Sequence, residues 1–197
     1  MENSTKERIL KEALIHFAEN GYKGANLRDL AARLGLSKSA LYKHYESKDA
    51  IWNALLDRME AYYAQRFGSV ENPPQTPATL EEFVTLSMGM IRFTVFDPQI
   101  ILTRKLLLTE QFHDDRVRRL ASKHFLEGTA NIFARLFEGM MESGLLRKED
   151  PAMLAFAYTA PVSVLIHQCD REMDKREDML KRIEAFIRYF VSAHQAD

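Results

Sequence analysis

Apolar residues recur with the period of an α-helix, about 3.6 residues, along almost the whole chain. The first stripe places six apolar residues on one helix face: Ile9, Leu10, Ala13, Leu14, Phe17 and Ala18. No segment shows the sustained alternation of a strand, and no Asn-Gly or Asp-Gly pair marks a hairpin turn. The pattern predicts an all-α protein of about nine helices.

Capping residues and helix breakers divide this pattern into separate helices. Ser4 with Glu7, and Thr79 with Glu82, have the spacing of a capping box. The proline-rich stretch 68–78 is predicted to be a loop. Helices are predicted at about 4–20, 47–67, 79–95 and 98–110, and others start at the caps Asn26, Ser37, Asp114, Asp150 and Asp174. The helix from Asp114 is predicted to run unbroken to just before Gly144.

The eighth helix, which opens at Asp150 and Pro151, has no polar face. A helix that is apolar all round must be buried all round. In a chain of 197 residues, such a helix late in the sequence predicts a partner subunit, with the ninth helix beside it. We therefore expect a homodimer formed through about residues 150–194. The alternative is the central helix of a monomer.

Charge is distributed unevenly along the chain. The net charge is −1, yet residues 21–48 contain six Lys or Arg and two acidic residues, a local net charge of +4. A basic segment on a mildly acidic body is typical of a protein that meets nucleic acid at one end. The alternative is a solvated charged face.

Composition favours a cytoplasmic protein. Cys169 is the only cysteine, so no disulfide can form within the chain. The N-terminal residues lack the apolar region of a signal peptide. The longest uncharged run, Pro151 to Cys169, is slightly short for a membrane span, and we predict no membrane association.

The stretch from Asn26 to Tyr45 has the layout of a helix-turn-helix. Two short helices meet at Gly35, and the second carries polar and basic side chains. In this motif the second helix enters the major groove, where its N-terminal residues meet base edges. Lysines can neutralise phosphates, and a positive charge in the first turn of the next helix calls for an anionic partner. The predicted DNA contacts are Asn26, Arg28, Ser37, Lys38, Ser39, Tyr42, Lys43, His44 and Lys48.

Several short motifs over about residues 5–56 resemble the tetracycline-repressor (TetR-like) family of bacterial regulators. They are Gly21-Tyr22, the run from Asn26 to Ala31, the run from Gly35 to Tyr45, and Ser47-Lys48-Asp49. Asn26 stands where threonine or serine is usual, and Ala25 lacks a hydroxyl often found there. Beyond these residues the resemblance is one of architecture only.

The resemblance implies a homodimeric, cytoplasmic bacterial repressor that associates with the nucleoid through its DNA. It implies a palindromic operator, two recognition helices about 34 Å apart or somewhat more, and release when a small molecule enters the C-terminal domain. The expected domains are a helix-turn-helix DNA-binding domain, 1–48, and a larger ligand-binding and dimerisation domain, 49–197. Helix 4, about 47–67, connects them.

A cavity for an apolar or aromatic effector is expected among helices 5 to 8. Adaptable Met and Phe side chains suit such a site, although stripes of these residues also form ordinary cores. The candidate lining residues are Phe83, Leu86, Met90, Phe93, Leu107, Phe133, Phe137 and Met140.

Two other classes of protein remain as alternatives: a helical-bundle enzyme or metal protein, and a protein–protein adaptor. Glu110 and His113 have a spacing that di-iron bundles use, but the second copy that such a site needs is lacking. No nucleophile motif, phosphate-binding loop or dinucleotide fingerprint occurs. We therefore predict no enzymatic activity, no cofactor and no metal site.

Overall fold

The computed structural model describes residues 5–68 and 74–196, and within these ranges it contains no strand beyond one isolated bridge. The helices are α1 (Thr5–Gly24), α2 (Leu27–Arg33), α3 (Lys38–His44), α4 (Lys48–Phe67), α5 (Leu80–Phe96), α6 (Pro98–Glu110), α7, α8 (Pro151–Arg171) and α9 (Arg176–His194). Helix α7 has two α-helical parts, Asp115–Ser122 and Gly128–Glu142, joined by a π-helical turn, Lys123–Glu127. The prediction of an all-α fold with about nine helices is confirmed.

Most predicted caps occupy their expected positions. The side chains of Asn26, Ser37 and Asp150 accept hydrogen bonds from backbone N–H groups in the first turns of α2, α3 and α8. Thr79 caps α5, and the Glu82 carboxylate accepts from the Ala78 N–H at 2.7 Å. The predicted capping box at Ser4 lies outside the described residues. Short polar side chains therefore define these helix ends locally.

The first regular stretch of α1 ends at Gly21, in agreement with the predicted range of about 4–20. Gly21 is non-helical, with φ 68° and ψ 168°, so the helix axis breaks there. A short helical segment follows it and continues to Gly24. A Cβ at Gly21 would lie 2.8 Å from the Glu110 carboxylate. The left-handed backbone therefore favours glycine, and a Cβ would in addition displace the end of the Glu110 side chain.

The π-helical turn in α7 was not predicted. The Gly128 N–H bonds to the Lys123 carbonyl, five residues earlier, in place of the usual four. The segments on both sides of the turn keep the apolar period of an α-helix, so the sequence pattern shows one helix where the structure has two α-helical parts. The 3-10 turn Met173–Lys175 likewise moves the start of α9 from Asp174 to Arg176.

The chain forms two compact units, which comprise residues up to Tyr63 with Leu102–Ala121, and Ala64–Ile101 with Ser122 onward. The boundaries fall inside α4, α6 and α7. The first unit therefore extends past residue 48. The division by role into a DNA-binding domain, 1–48, and a ligand-binding and dimerisation domain, 49–197, stays a prediction.

An aromatic cluster of Phe17, Tyr22 and Trp52 lies in the first unit. The Phe17 and Trp52 rings meet edge to face at 5.0 Å, and Tyr22 lies 4.9 Å from Trp52 and 5.9 Å from Phe17. Such ring pairs are favourable beyond the apolar area that they bury. The aromatic cluster holds the start of α4 against the end of α1.

Asp114 joins α4 to the start of α7. One carboxylate oxygen accepts from the Arg116 and Val117 N–H groups, and the other accepts from the Trp52 indole at 2.9 Å. Burial raises the pKa of Asp114, but these hydrogen bonds and the charge of Arg116 outweigh it and hold the pKa below its usual value. Asp114 therefore accepts three hydrogen bonds and links α4 to the first turn of α7.

The second unit has a core rich in aromatic rings. Tyr158 of α8 lies at the centre, with its ring 4.7 Å from Phe133, 5.5 Å from Phe83 and 5.3 Å from Phe190. These rings come from α5, α7, α8 and α9, so one cluster joins four helices. The core includes other buried apolar residues: Val84, Ile91, Val95, Leu136, Phe137, Met140, Leu154, Ala155, Leu180, Ile183 and Ile187.

Replacing Asp114 should destabilise the first unit in proportion to the bonds lost. Asp114→Ala removes the cap and the indole acceptor and should lower the free energy of unfolding by about 2 kcal/mol. Asp114→Asn keeps a capping oxygen and should lower it less. Urea unfolding followed by the fluorescence of Trp52, the only tryptophan, measures both. The control is Asp115→Ala, which removes an exposed ion pair with Arg118 and a first-turn negative charge but neither the cap nor the indole acceptor. An equal loss in the control would contradict this role of Asp114.

Candidate nucleic-acid interface

The turn between α2 and α3 is a Schellman motif. Gly35, at φ 67°, donates to the Ala32 carbonyl at 3.0 Å, and Leu36 donates to the Ala31 carbonyl at 2.9 Å. The left-handed conformation favours glycine because it carries no Cβ. The turn therefore ends α2 sharply, and α3 begins at Lys38, three residues after Gly35.

One side of each short helix is buried. Leu30 and Ala31 of α2 and Leu41 of α3 are fully or almost fully inaccessible to solvent, while Ala40 is half-buried. A helix of seven residues is too short to be stable alone, so this packing holds α3 in place. The polar residues of α3 consequently face outward.

Most predicted DNA contacts lie on one exposed surface. Besides Asn26, six of them are exposed: Arg28, Ser37, Lys38, Ser39, Tyr42 and Lys43. His44 and Lys48 are half-buried. The Lys38 ammonium lies 5.7 Å from the centre of the Tyr42 ring, and the Ser37 and Ser39 hydroxyls are 3.0 Å apart. This surface offers hydroxyls, ammonium groups and one ring, the side chains that contact phosphates and base edges.

Asn26 is exposed, but its side chain is already engaged within the protein. Its amide oxygen accepts from the Asp29 N–H at 2.9 Å, and its amide nitrogen donates to the Asp29 carboxylate at 2.6 Å. These hydrogen bonds cap α2. A DNA group that contacted the Asn26 amide would have to share its donor or its acceptor with Asp29.

Arg33, another residue of the basic segment, is neutralised by α1. Its guanidinium forms ion pairs with Glu12 and Glu19. The positive charge of this segment that is available to a polyanion therefore comes from Lys23, Arg28, the two lysines of α3 and Lys48.

Tyr22 is close to the predicted contacts, although the sequence did not place it there. The Lys48 ammonium lies 4.4 Å from the centre of its ring, and the Tyr22 hydroxyl donates to Asp49. Partial burial, the bond to Asp49 and the charges of Asp49 and Asp114 raise the pKa of Tyr22 to about 12. Tyr22 and Lys48 are 26 residues apart, so no helical spacing relates them.

The residues predicted to line an effector cavity do not all lie together. Phe83, Phe133, Phe137 and Met140 are buried in the core of the second unit. Leu86 and Met90 are partly buried on α5, and Phe93 packs edge to face on Phe67 at 5.8 Å. Leu107 is buried in the first unit. Their role in ligand binding stays a prediction.

Glu110 and His113 do not form a pair. Helix α6 ends at Glu110, whose side chain is buried beside Gly21, while His113 is exposed in the following turn. In the described part of the chain, no group of three or more His, Cys, Asp or Glu side chains is placed to hold a metal ion.

Residues 9–55 match the sequence model of the family described as bacterial regulatory proteins, tetR family. The chain is 34% identical over 70 residues to an uncharacterized HTH-type transcriptional regulator of Bacillus subtilis, YerO, a match that covers 36% of this chain and 23% of that protein. It is 31% identical over 58 residues to IcaR of Staphylococcus epidermidis, a negative regulator of a biofilm operon, covering 29% of this chain and 31% of that one. The matches thus span less than a third of these relatives.

Solved structures resemble the chain over nearly its whole length. A TetR transcriptional regulator of Chloroflexus aurantiacus has a TM-score of 0.73 at 18% identity, covering 98% of this chain and 96% of that one. SmeT in complex with triclosan has a TM-score of 0.73 at 20% identity, covering 99% and 93%. SmeT is the repressor of a multidrug efflux pump of Stenotrophomonas maltophilia. At these identities the likeness shows the fold.

Substitutions at Ser37 should separate its capping role from any contact with nucleic acid. Ser37→Ala removes the cap and should lower the free energy of unfolding by about 1 kcal/mol. Ser37→Asp keeps a capping oxygen and should keep the stability, but its negative charge should weaken binding to a DNA duplex. Thermal unfolding and fluorescence anisotropy measure the two effects. Ser39→Ala, two residues along and outside the cap, is the control for stability. Unchanged DNA affinity in the aspartate variant would remove Ser37 from the interface.

Proposed function

We propose that this chain is a dimeric DNA-binding transcriptional regulator that responds to a small molecule, and the match of residues 9–55 to the tetR family of bacterial regulatory proteins supports the proposal. The observation that carries the proposal is the exposed basic face of α3, held on the Schellman turn at Gly35. We further propose that it acts as a repressor in the bacterial cytoplasm, on the nucleoid. The relatives IcaR and SmeT, a negative regulator and a repressor, support this choice.

In this proposal, α3 enters the major groove of a palindromic operator. Ser37, Lys38 and Ser39 form its first turn, the part of a recognition helix that reaches base edges. Tyr42, Lys43 and His44 follow toward the flanking backbone, and Arg28 and Lys48 contact phosphates from α2 and α4. These roles fit the side chains, because lysines neutralise phosphates and the small hydroxyl side chains allow α3 to approach the DNA closely.

We propose that two chains associate through α8 and α9, about residues 150–194. Helix α8 has a stripe of exposed residues at the spacing of one helix face: Met153, Phe156, Ala157, Pro161 and Val164. Phe156 is 63% exposed and Val164 65% exposed, and no charged residue lies between Pro151 and Cys169. A contiguous apolar face of this kind marks an interaction site. A second copy of the same helix is complementary to it by symmetry.

A membrane is the competing explanation for this face. Among the described residues, α8 is long and apolar enough to cross a bilayer, and 33% of its most apolar window is buried. The opposite face of α8 packs into the protein core through Leu154, Ala155 and Tyr158, which leaves only a narrow stripe for lipid. We therefore favour a second protein chain over a membrane.

We propose that the effector is a small apolar or aromatic molecule bound within the second unit, near Phe83, Phe133, Phe137 and Met140. Among the described residues, the buried hydroxyls of Ser87 and Tyr158 have no hydrogen-bond partner. Burial raises the pKa of Tyr158, and the nearby Ser87 hydroxyl lowers that pKa in part. The Tyr158 and Ser87 hydroxyls are nevertheless not hydrogen-bonded to each other. A ligand with one polar group could satisfy both hydroxyls. The triclosan complex of SmeT supports an aromatic ligand.

Regulation then requires only that the effector prefers one arrangement of the dimer. If it binds more tightly to an arrangement whose recognition helices are wrongly spaced, it shifts the population away from the DNA-binding form. Helix α4 belongs to both compact units, as do α6 and α7, and we propose that α4 transmits the change because it directly follows the helix-turn-helix.

DNase footprinting on the DNA that flanks the protein's own gene tests the proposed function. The expected result is a protected site with two-fold symmetry, which is lost in the variant Lys38→Ala/Lys43→Ala because both lysines are exposed and lie on α3. The absence of a protected site there and in a genome-wide binding assay would count against a regulator. It would favour the adaptor or the helical-bundle enzyme or metal protein, and metal analysis of the purified protein separates those two.

The dimer can be tested by placing a charge in the apolar stripe of α8. Phe156→Glu would bury an unpaired carboxylate in the interface and should raise the dimer dissociation constant at least about tenfold. Sedimentation velocity across a concentration series measures this constant. The matched control is Phe112→Glu, the same change at a phenylalanine that is 80% exposed and lies outside residues 150–194. A wild-type monomer at micromolar concentration, or an unchanged dimer in Phe156→Glu, would contradict this interface.

A further inference from the structure

We propose that Tyr22 is a positioning residue for the DNA backbone contact made by Lys48: its ring holds the lysine ammonium at the N-terminus of α4. The inference rests on the proposed DNA-binding function and adds a residue from outside the helix-turn-helix. It explains how a flexible side chain is prepared for a phosphate before DNA arrives.

Lys48 needs such support because of its position. It is the first residue of α4, where the helix dipole is positive and disfavours an ammonium group. Within the described chain, no carboxylate forms an ion pair with it. Its ammonium instead lies 4.4 Å from the centre of the Tyr22 ring, within the range of a cation–π interaction.

An aromatic ring suits this task better than a carboxylate would. A carboxylate would neutralise the charge and occupy N–H donors that a phosphate oxygen needs. The ring attracts the cation through its electron-rich face and leaves donors available on the opposite side. Lys48 is half-buried, so its stem is already partly ordered and loses less conformational freedom on binding.

The ring itself is fixed from three directions. It packs on Trp52 at 4.9 Å and on Phe17 at 5.9 Å, and its hydroxyl donates to Asp49, the residue after Lys48. Trp52 is in turn hydrogen-bonded to Asp114 at 2.9 Å. The ring therefore has one orientation relative to the first turn of α4, which is what a support for Lys48 requires.

A double-mutant cycle between Tyr22 and Lys48 tests the inference in the full-length protein. The affinities of wild type, Tyr22→Leu, Lys48→Ala and the double variant are measured on the fragment flanking the gene and on a duplex of unrelated sequence, over a range of salt concentrations. Tyr22→Leu should weaken binding about 2- to 5-fold on both DNAs, because a phosphate contact carries no sequence information. Lys48→Ala should reduce the slope of log affinity against log salt by about 0.9, the value for one phosphate.

The combination of variants distinguishes positioning from a general structural role. If Tyr22 acts through Lys48, Tyr22→Leu should have no further effect in the Lys48→Ala background. Tyr22→Phe keeps the ring and should bind DNA within about twofold of wild type, with the same salt slope. Trp52 fluorescence and thermal unfolding verify that each variant is folded.

Three results would overturn the inference while leaving the proposed function intact. These are additive losses in the double variant, a loss in Tyr22→Phe as large as in Tyr22→Leu, and a salt slope that Lys48→Ala does not change. A wild-type protein that binds neither DNA would overturn the proposed function, and the inference with it.

Discussion

The edge-to-face contact between Phe17 and Trp52 is the interaction on which the first unit depends. It joins the end of α1 to the first turns of α4, and Tyr22 packs against both rings. The Trp52 indole then reaches Asp114, which caps α7. Large rings contribute much of the burial in a small core, so the positions of α4 and Lys48 follow from this contact. Helix α3 is too short to orient itself and depends on the same core through Leu41.

The second unit is organised by a different constraint. Its rings surround Tyr158, whose hydroxyl is buried with that of Ser87 and has no hydrogen-bond partner among the described residues. Leaving such groups unsatisfied costs free energy of about 1–3 kcal/mol each. A core packed only for stability would avoid them. In the proposed effector site, a polar group of the ligand would form hydrogen bonds with these two hydroxyls. The apolar part of the ligand would pack against the phenylalanine and methionine side chains.

Helix α8 shows how one apolar pattern can serve two surfaces. Leu154, Ala155 and Tyr158 face the core, whereas Met153, Phe156 and Val164 are exposed on the other side. A helix with no polar face cannot present a soluble surface to water. One chain buries one face of the helix, and the exposed face is the one that we propose a partner covers. The proposed dimer would therefore bury the apolar face of α8 that a single chain leaves exposed.

The sequence alone determined the features that depend on neighbours in the chain. The caps at Asn26, Ser37 and Asp150, the left-handed turn at Gly35 and the apolar stripes of the helices arise from interactions over a few residues, which spacing reveals. The family resemblance over the helix-turn-helix was also confirmed, because it depends on short motifs of neighbouring residues. Helical period gives the face of a residue but not its neighbour on another helix. Only the tertiary structure therefore showed that Glu110 lies beside Gly21 and that Arg33 forms ion pairs with α1. It also assigned Leu107 to the first unit and the other predicted lining residues to the second. The contact between the Tyr22 ring and the Lys48 ammonium likewise appears only in the folded chain.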